Sequence, residues 1–135
     1  MLKNFLIDVD GVLTTGQFLY SEEGKAFKIF GPHDSDGLKL IKNNIHISFI
    51  SADKRGFEIS KKRVEDMGFT VALCSEEDRT KYIENNYNLE TLAYMGDGIY
   101  DVEIIKKSKL GMCPKNARKE AIEVADFVTN SNSGE

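Results

Sequence analysis

The sequence predicts an α/β fold, a doubly wound parallel sheet with helices on both faces. Three observations carry that expectation. Apolar runs of strand length alternate with amphipathic stretches of helix length along the chain. Several apolar runs end in Asp, Ser or Gly, residues that close a strand at a turn. The length, 135 residues, suits one core, and no internal repeat is present.

Taken in order, the first strand falls at about residues 3–8, where Phe5-Leu6-Ile7 leads into Asp8. Asp10 stands one residue beyond Asp8, and Gly11 follows, which allows a sharp turn. Two β-prone runs at 17–20 and 25–30 flank Ser21-Glu22-Glu23-Gly24, the pattern of a hairpin, and Gly31-Pro32 ends it. Phe18, Tyr20, Phe27 and Ile29 load that flap with apolar surface. Ser35 or Asp36 is placed to cap a helix carrying Leu38, Leu40 and Ile41. A second strand at 45–50 ends at Ser51, a helix at about 55–66 is stopped by Gly68, and 71–73 makes a third strand. A helix at 78–87 puts Ile83 and Tyr87 on one face. The fourth strand, 92–95, runs into Gly96-Asp97-Gly98, with a helix at 99–107 behind it. A fifth strand at 110–113, a helix at 116–124 begun after Pro114 and an edge strand at 127–128 complete the order. One domain is expected over residues 1–130, and the polar end, 131–135, is expected to be disordered.

Composition narrows the function. Hydrophobic residues make up 41% and charged residues 30%, with a net charge of -4 and a pI near 5.3. No basic tract argues for nucleic acid as a partner. No apolar stretch is long enough to span a bilayer, so no membrane association is expected. Cys74 and Cys113 lie outside any CxxC pair and read as reduced thiols. With no leader pattern at the amino terminus, the expected compartment is the cytoplasm.

In a parallel sheet the carboxyl ends of the strands share one edge, so Asp8, Asp10, Ser51, Asp97 and Asp101 are expected to converge. Asp97 and Asp101 are four apart, on one face of a helix start. Carboxylates so close are costly without a cation, and hard oxygen ligands favour Mg²⁺. Each feature also has an ordinary role. Ser51 suits a helix cap, Asp101 a first-turn acid, and Asp8 to Gly11 a solvated turn. Asp97 fits such roles least, because flanking glycines favour a tight turn at a close approach.

In this combination the chain resembles the haloacid dehalogenase-like phosphatase superfamily. Asp8-Val9-Asp10-Gly11-Val12-Leu13-Thr14 is similar to its first motif, and Ser51 at a strand end to its second. A basic residue near the start of the next helix is its third, and Gly96-Asp97-Gly98-Ile99-Tyr100-Asp101 resembles its fourth. The resemblance implies a Rossmann-like sheet and a set of roles. Asp8 would be the nucleophile, and Asp10 the general acid and then the base. Ser51 and the backbone N–H of Ala52 would hold phosphate. Asp8, the backbone carbonyl of Asp10 and Asp97 would hold Mg²⁺, with Asp101 supporting the metal shell or the basic residue. That residue is usually Lys, which points to Lys81. Arg79 lies four before Ile83, in register with the apolar face of its helix. Both stand as phosphate-binding candidates.

Asp10 to Ser51 leaves room only for the hairpin and one helix, and Ser51 to Arg79 only for a helix and a short strand. No cap domain is expected. A capless chain with a hairpin after the first motif is similar to the 3-deoxy-D-manno-octulosonate 8-phosphate phosphatase group, which includes relatives acting on nine-carbon acid-sugar phosphates. Lys25-Ala26-Phe27, Arg63 with Met67-Gly68, and Ala125-Asp126-Phe127-Val128-Thr129 add to the likeness. Three departures are visible: Thr15 stands where the group usually has Asp, Ala52-Asp53 where it usually has Gly-Arg, and the sequence stops near where the Gly-rich carboxyl tail of the group would begin. The resemblance implies Mg²⁺-dependent hydrolysis of a small sugar-acid phosphate through an aspartyl-phosphate. It also implies a homotetramer, with hairpins paired between subunits and each site roofed by a neighbour. The alternatives are a phospho-accepting signalling domain and a non-catalytic partner of a sugar-acid cytidylyltransferase. The first has no need of the Gly96 to Asp101 motif, and intact Asp8, Asp10 and Asp97 argue against the second.

Overall fold

A computed structural model describes all 135 residues. In chain order the chain forms β1 (Asn4–Asp8), a wide single turn (Val9–Leu13), β2 (Thr14–Ser21), β3 (Gly24–Phe30), α1 (His33–Ile41) and β4 (His46–Ser51). It continues through α2 (Phe57–Asp66), β5 (Val71–Leu73), α3 (Arg79–Asn86), β6 (Leu92–Met95) and α4 (Val102–Lys107). It closes with β7 (Leu110–Cys113), α5 (Lys119–Val124) and β8 (Phe127–Val128). Six strands form one sheet in the order β5-β4-β1-β6-β7-β8, every pairing parallel. β2 and β3 form a separate antiparallel hairpin.

Strand alternation divides the apolar residues between two cores. Leu6, Ile50, Tyr94, Ile83, Ile104 and Ile105 pack on the face covered by α3, α4 and α5. Ile7, Val12, Phe49, Ile47, Leu38 and Val64 pack on the face covered by α1 and α2. Each fully buried Leu, Ile or Phe contributes about 1.5–3 kcal/mol, so both layers of helices are held by the sheet they cover. The chain runs outward from β1 to β4 and β5, then crosses back to β6, β7 and β8. The order therefore reverses at β1, and the crevice such a reversal opens lies at the carboxyl end of that strand.

Several elements depart from expectation. α1 begins at His33 rather than after a Ser35 or Asp36 cap. Pro32 at its entry has its φ preset for a helix and no N–H to satisfy, and Asp34 and Asp36 fall in the first turn, where the helix dipole favours acids. Leu40, expected on the apolar face, is 83% exposed, two residues on from buried Leu38 and on the far side of the helix. The helix expected at 99–107 divides into a 3₁₀ turn (Ile99–Asp101) and α4, because the Asp101 carboxylate draws in the N–H groups of Asp97 and Gly98. The helix expected from 116 forms only at Lys119, since the Arg118 N–H is committed to the Asp97 carbonyl at 2.8 Å.

The carboxyl end, expected to be disordered, packs against the body. Ser133 is buried, and it exchanges two hydrogen bonds with the Asn116 side chain at 3.2 and 2.9 Å. The Gly134 N–H donates to the Val12 carbonyl at 3.1 Å. The segment reads as disordered because its own residues are small and polar, but its partners come from distant parts of the fold. Cys74 and Cys113 are free and buried. No helix is long and apolar enough to cross a membrane.

Candidate active site

β1 delivers Asp8 to the crevice, buried at its mouth. The chain then reverses through Gly11, whose φ of +82° falls in the left-handed region that glycine tolerates. A Cβ on Gly11 would occupy the space of the Asp97 carboxylate, so this glycine is what lets the first loop and the β6 loop meet. The Thr14 hydroxyl fixes the turn by accepting the N–H groups of Gly11 and Gly16, each at 3.1 Å.

β6 delivers Asp97 from the other side. Carboxylate oxygens of Asp8, Asp97 and Asp101 all lie within 4.8 Å of one another. Asp101 has no free capacity within that cluster. Its Oδ2 accepts the N–H groups of Asp97 and Gly98 at 3.0 and 2.9 Å. Its Oδ1 accepts Arg79 Nη1 at 2.7 Å and the Tyr94 hydroxyl. Arg79 Nη1 also lies 3.4 Å from Asp8 Oδ1, and Arg79 Nε is buried without a partner.

The electrostatics follow from crowding three acids around one guanidinium. Burial, then the charge of Asp101, pushes the Asp8 carboxyl well above its ordinary range, partly offset by Arg79. Burial pushes Asp97 up to about 6. Burial works against the charge on Arg79, but Asp8, Tyr94 and Asp101 more than restore it and raise its pKa. The cluster is an excess of negative charge with one cation beside it.

Asp10 lies outside this group of three. Its half-exposed carboxylate pairs with Lys28 Nζ at 2.9 and 3.1 Å and meets Ser51 Oγ at 3.4 Å. Ser51 itself is fully buried and also accepts the Asp53 N–H at 3.2 Å. Ala52, one residue on, lines the cleft. Lys81 is not brought to the site. It is exposed, while Arg79 and Ile83 of the same helix are buried, because helical periodicity turns the residue between them outward. Arg79 is the basic residue beside Asp8.

Sequence reasoning missed Lys28. It reaches the site from β3, and only the alternation of that strand signals it: Phe27 and Ile29 face out, so Lys28 faces in. Lys25 also turns inward, pairing with Asp53 at 2.7 Å. Although burial raises its pKa, Asp53 is held down at about 2 by hydrogen bonds from Lys25 and Lys28. The cleft above these groups encloses about 1090 Å³, with Lys25, Lys54, Arg55 and Arg118 among its walls.

Whether the residues fit a divalent ion is decided by the donor set. Both oxygens of Asp101 are taken, whereas Asp8 and Asp97 offer hard carboxylate oxygens side by side in a space kept open by Gly11. A buried and a half-buried carboxylate, both with raised pKa values, are what a bound Mg²⁺ would relieve, and the set fits that ion.

The sequence profile described as haloacid dehalogenase-like hydrolase matches residues 42–135. The chain belongs to that family. Like its relatives, this haloacid dehalogenase-like hydrolase is a phosphoric monoester hydrolase. It is 28% identical to the 3-deoxy-D-manno-octulosonate 8-phosphate phosphatase of Salmonella typhi, over 98% of this chain and 73% of the relative. The crystal structure of the corresponding phosphatase from Moraxella catarrhalis, in complex with magnesium, phosphate and the sugar acid, superposes with a TM-score of 0.87. That match has 25% identity and covers 99% of this chain and 79% of the other. A probable YrbI family phosphatase from Pseudomonas syringae pv. phaseolicola superposes equally well, at 0.87, with 31% identity over 99% and 78% of the two chains. The hydrolase carries no inserted domain between its motifs, only the hairpin after the first.

Proposed function

We propose that this hydrolase is a Mg²⁺-dependent phosphatase acting on a small sugar-acid phosphate, such as 3-deoxy-D-manno-octulosonate 8-phosphate or a nine-carbon acid-sugar 9-phosphate. One observation carries the reading: Asp8 stands at the switch point with Arg79 on one side, Asp97 on the other and Asp10 at the cleft. Arg79, with a cation held by Asp8 and Asp97, would define a place for an anion, and Asp10 a source of a proton.

The roles follow from position. Asp8 attacks phosphorus through a carboxylate oxygen, forming an aspartyl-phosphate as the bond to the ester oxygen breaks. Asp10 gives its proton to that departing oxygen. Asp10 then takes a proton from water, which attacks phosphorus and releases inorganic phosphate with Asp8 restored. The Ser51 hydroxyl, the Ala52 N–H and the guanidinium of Arg79 hold phosphate oxygens, and the unpartnered Nε of Arg79 supports that role. Mg²⁺ held by Asp8, Asp97 and the Asp10 backbone carbonyl would neutralise the carboxylates, keep Asp8 ionised and lower its repulsion with the substrate. Asp101 orients Arg79 and closes the Asp97 loop.

The choice of a sugar acid rests on the activity of the relatives and on Lys54 and Arg55 in the cleft wall, which suit a second anionic group besides phosphate. The working form is a homotetramer in the cytoplasm, a reading supported by the apolar outer face of the hairpin and by two free thiols. Asp8→Asn tests the core of the scheme. It is expected to abolish phosphate release, with circular dichroism and sedimentation unchanged. Turnover at the wild-type rate, in that variant or in excess EDTA, would refute the scheme.

A further inference from the structure

Lys28 is a buried cation that the scheme above leaves without a task. Its side chain is 1% exposed and does not line the cleft. An ammonium has three donors, and all three have acceptors here. One goes to Ser60 Oγ at 2.7 Å and one to Asp53 Oδ2 at 2.9 Å. The third lies between the two oxygens of Asp10, at 2.9 and 3.1 Å. Ser60 is itself fully buried on α2, so the head of a hairpin lysine is anchored to the body of the protein. Room for this arrangement is made by Gly56, where a Cβ would stand 2.5 Å from Asp53 Oδ2, 2.7 Å from Lys28 Cε and 2.8 Å from Lys25 Cδ.

We infer that Lys28 is a positioning residue, which holds the Asp10 carboxylate where it can pass a proton to the leaving oxygen. The inference rests on the role proposed for Asp10. A half-exposed aspartate has several rotamers open to it, and proton transfer needs one of them within hydrogen-bond reach of the ester oxygen. Lys28 meets both oxygens of the carboxylate from one side, and Ser51 meets Oδ2 at 3.4 Å. The lysine does not line the cleft, so its effect on the leaving oxygen passes through Asp10; its other carboxylate partner, Asp53, is also held by Lys25 and the Gly56 N–H. A lysine that merely stapled the hairpin to α2 would affect all substrates alike.

Leaving groups separate the two roles. A para-nitrophenolate leaves without a proton, whereas an alkoxide needs one. The experiment compares wild type, Lys28→Met and Asp10→Asn on para-nitrophenyl phosphate and on an alkyl phosphate, read as kcat/KM, which reports the steps up to departure. Lys28→Met is expected to lose roughly 10–100-fold on the alkyl ester, a share of the 10²–10⁴-fold that general acid catalysis provides. It is expected to lose less than about 3-fold on the nitrophenyl ester, where that help is not needed, with KM unchanged on both. Equal losses on both esters, or a rise in KM with kcat retained, would overturn the inference. If Asp10→Asn shows no leaving-group bias, the role of Asp10 fails and that of Lys28 with it. If Asp10→Asn shows the bias and Lys28→Met does not, only Lys28 falls. Should Lys28→Met not fold, Gly56→Ala decides by crowding the lysine stem. A smaller bias of the same sign is expected, and its absence overturns the inference.

Discussion

Asp97 and Asp101 lie four residues apart in one short loop, yet the fold uses them differently because their oxygens are differently committed. Asp101 accepts four hydrogen bonds and is fixed; Asp97 is half-buried, and its pKa is pushed up to about 6. That difference has a thermodynamic consequence. Unfolded, Asp97 gives up its proton near its ordinary value of 3.8; folded and metal-free, it does so near 6. Between those values the folded state binds more protons, so stability falls as pH rises through the window. Asp8 shifts in the same direction. Asp53, held at about 2, has the opposite sign, but its contribution is lost only as pH falls from about 4 toward 2. Mg²⁺ competes with those retained protons. Its stabilising increment, measured as Tm with Mg²⁺ against Tm with EDTA, is therefore expected to be larger at about pH 8 than at about pH 5. Equal increments at the two values would refute the assignment of Asp8 and Asp97 as ligands.

At the scale of elements, α3 and the hairpin show what the sequence discloses and what it conceals. The strand ends that carry Asp8, Ser51 and Asp97 are legible because an apolar run followed by Asp, Ser or Gly is a local signal, and a parallel sheet gathers such ends by rule. The third-motif cation is harder, since Arg79 and Lys81 both stand in the first turn of α3; periodicity separates them only once the buried face is known. Lys28 was concealed for a physical reason. β3 places Lys28 inward and Phe27 and Ile29 outward, the reverse of what hydrophobic alternation leads one to expect. The order of the carboxyl end is not legible in the sequence because its hydrogen-bond partners, Asn116 and Val12, are remote in sequence. The register of α3 yields a direct expectation. Arg79→Ala should lower phosphate release by roughly 10²-fold or more, as loss of a preorganised charge at phosphoryl groups does. It should also destabilise the fold by about 3–5 kcal/mol, because Asp101 is left buried and unpaired. Lys81→Ala, on the exposed side, should change both by little. Steady-state kinetics beside chemical denaturation would decide, and a large kinetic loss in Lys81→Ala would reassign the cation.

For the molecule as a whole, the inverted hairpin is also the strongest argument for assembly. Two apolar cores fill the space above and below the sheet, and neither includes Phe18, Leu19, Tyr20, Phe27 or Ile29. Those residues remain about half exposed: Leu19, Phe27 and Ile29 on the outer face of the flap, and Phe18 and Tyr20, paired with Lys28 and Lys25, along the wall of the cleft. An apolar patch beside free strand edges is a surface that another chain pairs with readily. The inner face of the same flap is already engaged, through Lys25 and Lys28, with Asp53, Asp10 and Ser60. A flap tied to the site by its inner face and open to solvent through Leu19, Phe27 and Ile29 would link assembly to catalysis. Pairing between subunits would bury the outer face and, by fixing the flap, steady the lysines beneath it. It would also help to close the cleft above Asp8 and Asp10. Light scattering at micromolar protein is expected to give the mass of an oligomer, the tetramer that the family resemblance implies. Phe27→Asp is expected to shift that mass toward the monomer and to lower kcat/KM in the same titration, even though Phe27 does not line the cleft. A monomer with full turnover, or a dissociated Phe27→Asp variant as active as wild type, would break the proposed link between the flap and the site.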